Sequence, residues 1–61
     1  MEKMLSIEEV SRILDVKVST IRAWCFSKKI PFFKVGRLVK FSEKQIIEWL
    51  NKRQVLPRDG S

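Results

Sequence analysis

The residues of this chain best suited to chemistry are its bases, and their placement matters more than their number. Between Val16 and Phe41 lie Lys17, Arg22, Lys28, Lys29, Lys34, Arg37 and Lys40 with no acid among them. The first fifteen residues carry four acids against two bases and the last twenty carry four bases against three acids, so the net charge of +6 resides in the middle. A polyanion facing that segment is the expectation, because each phosphate neutralised by a base releases counterions and adds affinity. Basic surfaces also serve solubility, but that accounts for a total better than for twenty-six consecutive residues without an acid.

Other chemistry has few candidates. One cysteine and no histidine leave no internal disulfide, no zinc site built from this chain alone and no thiol–imidazole pair. Gly36 and Gly60 stand too far apart to cradle a phosphate. The expectation is therefore a binder with no catalytic residues, no cofactor and no metal. Cys25 reads as a small buried hydrophobe.

Sixty-one residues suffice for one lean domain, and 44% hydrophobic residues with two Trp and four Phe argue that it folds. No apolar stretch is long enough for a membrane span, and Met1-Glu2-Lys3-Met4 lacks the apolar core of a signal peptide. A cytoplasmic location away from any membrane is expected.

Several elements must position the bases. Ser6-Ile7-Glu8-Glu9 has the form of a capping box, with Leu5 and Val10 as a hydrophobic staple. It predicts a helix over residues 7 to 14 that buries Ile7, Val10, Ile13 and Leu14 and leaves Glu8, Glu9 and Arg12 wet. After a turn over Asp15-Val16-Lys17-Val18, Ser19 is suited to cap a second helix running from Thr20 to Ser27. There Ile21, Trp24 and Cys25 share one face, and Ser19, Arg22, Ala23 and Phe26 the other. Two short helices across a tight turn, the second headed by small polar residues, have the layout of a helix-turn-helix.

Pro31 ends the helical stretch, and Phe32-Phe33-Lys34-Val35 with Leu38-Val39-Lys40-Phe41 read as a hairpin about Gly36-Arg37. Two registers compete. A three-residue turn or a bulge turns Phe33, Val35, Val39 and Phe41 inward and Lys34 and Lys40 outward; a strict Gly-Arg turn opposes Val35 to Leu38 and Phe33 to Lys40. The single apolar face of the first register favours it, and leaves Phe32 and Leu38 outside. Ser42-Glu43-Lys44-Gln45 resembles a second capping box, opening a third helix with a stripe of Ile46, Trp49 and Leu50. The domain is expected over residues 1–53 and a frayed tail over 54–61.

Taken together, Val18-Ser19-Thr20-Ile21-Arg22-Ala23-Trp24, Ile30-Pro31, Lys34-Val35-Gly36-Arg37-Leu38-Val39-Lys40-Phe41 and Trp49-Leu50 carry a resemblance to the small excisionase-like DNA-binding proteins. Their domain is similar to the DNA-binding part of MerR-type regulators, and the resemblance spans roughly residues 4 to 53. It implies a mainly α winged helix-turn-helix of three helices and a two-stranded wing. Its second helix would enter the major groove of double-stranded DNA, and its wing would touch the neighbouring backbone or minor groove. On matching positions it puts Ser19, Thr20 and Arg22 at the DNA and Gly36-Arg37 at the wing tip. Ala23 and Phe26 depart from the family, where basic or polar residues are commoner. An integrase or recombinase partner, a prokaryotic, phage or mobile-element origin, and a monomer that sits in several copies side by side on DNA accompany that implication.

Residue by residue, Arg22 is suited to a bidentate contact with guanine, worth ~1–3 kcal/mol of discrimination. Lys34, Arg37 and Lys40 suit phosphates, although lysines on strands also block edge pairing. Lys17, Lys28 and Lys29 contribute to the field. Trp24 and Trp49 read as core. Phe26 can meet a thymine methyl, a neighbouring subunit on DNA or Ile30, and with Phe32 and Leu38 it can form an apolar patch for a larger enzyme such as an integrase.

Overall fold

The computed structural model describes residues 3–57. In chain order the elements are β1 (Met4–Ser6), α1 (Ile7–Leu14), α2 (Val18–Phe26), β2 (Phe33–Val35), β3 (Leu38–Ser42) and α3 (Glu43–Lys52). The strands form one antiparallel sheet in the order β1-β3-β2. Three helices with a small sheet whose β2–β3 hairpin projects as a wing make this a winged helix-turn-helix. Residues 1–2 and 58–61 lie outside the described residues, and with them the last part of the expected tail.

The capping box of α1 forms in full. Glu9 N–H donates to Ser6 Oγ at 3.1 Å, and Ser6 N–H donates to Glu9 Oε1 at 2.8 Å. Leu5 and Val10, on either side of the cap, are both buried. The turn into α2 is held by Ser11, whose hydroxyl donates to Val16 O at 2.6 Å and whose carbonyl accepts from Val16 N–H at 3.1 Å. Asp15 closes α1 in the left-handed region at φ 56°.

Ser19 is not the cap of α2. The N-cap is Lys17, which supplies no side-chain bond, and its carbonyl accepts from Thr20 and Ile21 N–H. The Ser11 clamp fixes the chain up to Val16, and Val18 packs against the core; helical geometry therefore begins one residue earlier, leaving Ser19 exposed within the first turn.

The core comprises Leu5, Ile7, Val10, Ile21, Cys25, Ile30, Phe41 and Ile46, with Leu14, Val16, Val18, Trp24, Phe32, Val39 and Trp49 packed around it. Burial of such side chains, about 1.5–3 kcal/mol each, is what so small a domain has to set against chain entropy. Two residues expected in the core from the helices lie outside: Ile13 and Leu50 are exposed, each at the margin of its helix's apolar stripe.

The hairpin takes the register the apolar pattern argued against. Phe33 opposes Lys40, Lys34 opposes Val39 and Val35 opposes Leu38, so the turn is the strict pair Gly36-Arg37. Gly36 has φ +60°, meeting the type II′ requirement for glycine at the first central position. Turn chemistry outweighs apolar alternation here, because the sheet beyond the tip is too narrow to have a fully buried inner face. Phe33 and Val35 consequently point outward and are exposed; Phe32, expected outside, packs against the core; Leu38 is outside as expected. Lys34 shares the face of Val39 rather than that of Lys40.

Strand β1 has no counterpart in the sequence expectations. It pairs with β3 through Met4–Ser42, Leu5–Phe41 and Ser6–Lys40, making β3 the central strand. Ser42 ends β3 and caps α3, accepting from Gln45 N–H at 3.1 Å. The reciprocal half of that expected box does not form, and Ser42 remains in the ladder opposite Met4.

Candidate nucleic-acid interface

Helix α2 buries Ile21 and Cys25 and leaves Ser19, Arg22, Ala23 and Phe26 exposed. Those four stand at steps of three and four, so they form one stripe along the outer face. Over nine residues the helix is roughly 13 Å long, short enough to lie within one turn of a groove. Its first turn carries no acid. Thr20 is half-buried beside the stripe.

The wing approaches that helix on one side. Arg22 and Phe26 of α2 line a concavity together with Phe32 and Lys34 of the hairpin's first arm, floored by Ile7, Cys25 and Val39. Arg22 also lines an adjoining concavity with Arg37, Leu38 and Lys40 of the hairpin and with Ser6, Ile7 and Glu8 at the start of α1. Arg22 is the cation that lines both hollows, which bring Lys34 from one face of the hairpin, Lys40 from the other and Arg37 from the tip to the side of α2. Glu8 is the acid lining the second hollow; the sequence offered only its place on the wet face of α1. Gly36 sits at the tip with nothing within 4 Å of where a Cβ would stand. Lys17 is exposed at the head of α2.

Lys28 and Lys29 are elsewhere. They line a hollow between the bend after α2 and the outer side of α3, with Pro31, Glu48, Trp49 and Lys52. Lys28 takes φ 58°, which turns the chain out of α2. Trp49 Nε1–H donates to Lys29 O at 2.7 Å, Arg53 Nη2 donates to the same oxygen at 3.3 Å, and the Arg53 guanidinium lies 4.2 Å from the Trp49 ring centroid. Trp24 and Trp49 sit 5.7 Å apart, tilted by 49°. Both tryptophans therefore join α2 to α3 rather than offering stacking platforms. The sequence marked Trp49 as core but gave no sign of its carbonyl partner twenty residues away.

Burial pushes the Cys25 thiol above its ordinary value, with the charge of Arg22 pulling in the opposite direction. A thiol so disposed is protonated and unreactive at neutral pH.

A helix face of hydroxyl, guanidinium, methyl and aromatic groups beside a cationic hairpin defines a DNA-binding winged helix-turn-helix protein. The chain belongs to the family described as helix-turn-helix domain, whose match covers residues 4–54. No curated protein and no solved structure matches it. Membership agrees with the central basic surface: this is a helix-turn-helix domain whose partner is DNA.

Proposed function

We propose that the chain binds a specific duplex DNA site, with α2 in the major groove and the hairpin against the flanking backbone. Arg22 carries the reading: it stands mid-way along the exposed face of α2 and is the cation that lines both hollows between α2 and the wing. In this arrangement Arg22 pairs with a guanine edge, Ser19, Thr20 and Ala23 lie against neighbouring bases or phosphates, and Lys17, Lys34, Gly36, Arg37 and Lys40 hold the backbone. Lys29, on the α3 side, acts through the general field.

The resemblance of residues 4 to 53 to excisionase-like proteins supports a finer reading. The chain is a recombination directionality factor for an integrase, or a small transcription regulator of MerR-like type, acting in the cytoplasm without turnover of its own. It is a monomer in solution and binds in copies side by side.

Fluorescence anisotropy against duplexes selected from a random pool tests the proposal. About five phosphate contacts give a log–log salt slope near −4 to −5. Equal affinity for all sequences, or indifference to salt, overturns it.

A further inference from the structure

Phe26 is 91% exposed, whereas Phe41 is wholly buried and Phe32, Trp24 and Trp49 are packed against the core. Folding gains nothing from an aromatic ring left in water at the last position of a helix. Its surroundings say what such a ring is placed for. It borders a hollow lined by the apolar side chains of Ile7, Cys25, Phe32 and Val39 and by the cations Arg22 and Lys34. An occupant matching that pattern presents a small apolar group flanked by negative charge. Duplex DNA does so in the major groove, where thymine displays its C5-methyl between the phosphate walls.

The spacing agrees. Arg22 and Phe26 are four residues apart on one helix face, about 6 Å along the axis, close to two base-pair steps of ~3.4 Å each. Ala23, between them and exposed, carries only a methyl and leaves room for a base edge to approach. We infer that Phe26 is a specificity-determining residue that reads the C5-methyl of a thymine about two base-pair steps from the guanine read by Arg22. This rests on the proposed seating of α2 in the major groove, and adds to it an apolar contact at the end of α2.

Two random duplex pools, one synthesised with thymine and one with uracil, differ only in that methyl. The wild-type protein should enrich a guanine in both pools, and a thymine two steps away in the first pool alone. On one selected duplex, replacing that thymine by uracil should weaken binding about fourfold, the factor that burial of one methyl-sized group supplies. Phe26→Ala should bind thymine and uracil duplexes alike while keeping the guanine and the salt slope, and Phe26→Leu should restore part of the difference. Because the ring is exposed, both variants should give the wild-type circular dichroism spectrum. Equal affinity of wild type for thymine and uracil duplexes, or a thymine preference that survives in Phe26→Ala, overturns the methyl contact and leaves DNA binding standing. Failure to enrich any sequence from the thymine pool overturns both.

Discussion

Trp49 and Lys29 are joined by a hydrogen bond from the indole Nε1–H to the backbone carbonyl oxygen, 2.7 Å long across twenty residues of chain. The bond secures the segment between α2 and β2 to the outer helix, and Arg53 reinforces it from the same side. Trp49→Phe keeps an aromatic ring against Trp24 but leaves the carbonyl without its best partner. It should cost about 1 kcal/mol, a fall in Tm of roughly 4–8 °C measured by thermal circular dichroism. A Tm within a degree of wild type would show that the bond contributes nothing.

Charge reversal separates DNA binding from folding. Arg22→Glu and Arg37→Glu alter exposed side chains, so both variants should unfold at nearly the wild-type temperature while DNA affinity collapses. Arg37→Ala should lower affinity for all sequences to the same degree and make the salt slope less negative by about one. Arg22→Ala should instead relax the choice at one base position. Retention of a partner protein by the Glu variants, alongside lost DNA binding, would identify a second surface.

The α1 cap is expected to respond to acid. Ser6 N–H, donating to the Glu9 carboxylate, holds that carboxyl below its ordinary value, with the Ser6 hydroxyl and the charges of Lys3 and Arg12 acting in the same direction. A depressed carboxyl contributes stability that is present above the unfolded value and fades as pH falls through the folded one. Glu9→Ala should therefore be least stable relative to wild type at neutral pH, with the gap closing below about pH 4.5. Ser6→Ala removes the other half of the box and should cost ~1 kcal/mol at neutral pH. Chemical denaturation at several pH values reads both; a gap that widens in acid would contradict the sign.

Gly36 tests the wing. A Cβ there meets nothing within 4 Å, yet φ of +60° is strained for any side chain, so Gly36→Ala should cost about 1–3 kcal/mol from backbone strain alone. If the tip relaxes into a wider turn, cross-strand nuclear Overhauser contacts between Val35 and Leu38 should be lost and DNA affinity should fall. Unchanged contacts together with unchanged affinity would mean that the tip tolerates alanine.

The parts of the fold that could be read from the sequence were those set by local bonds. Ser6 and Glu9 announce α1, and their geometry is as the spacing required. The exposed stripe of α2 follows from three- and four-residue steps, and all four expected residues lie on it. What escaped depends on competition between distant segments. Ser19 looked like a cap because nothing local shows that Ser11 clamps Val16. The hairpin register was decided at Gly36 against the alternation of Phe33, Val35, Val39 and Phe41. Met4–Ser6 is too short to display a strand pattern, and becomes one only because β3 offers it an edge. For the interface, the run of bases was legible as charge, but its division between the wing side and the α3 side required the bend at Lys28.

Ser42 is at once the final residue of the central strand and the N-cap of α3. No loop intervenes to take up slack. The direction in which α3 leaves the sheet is therefore set at the end of the central strand, while Trp49 and Arg53 fasten its other end to Lys29. Inserting two glycines after Ser42 would remove that constraint and leave the bonds to Lys29 alone to orient the third helix.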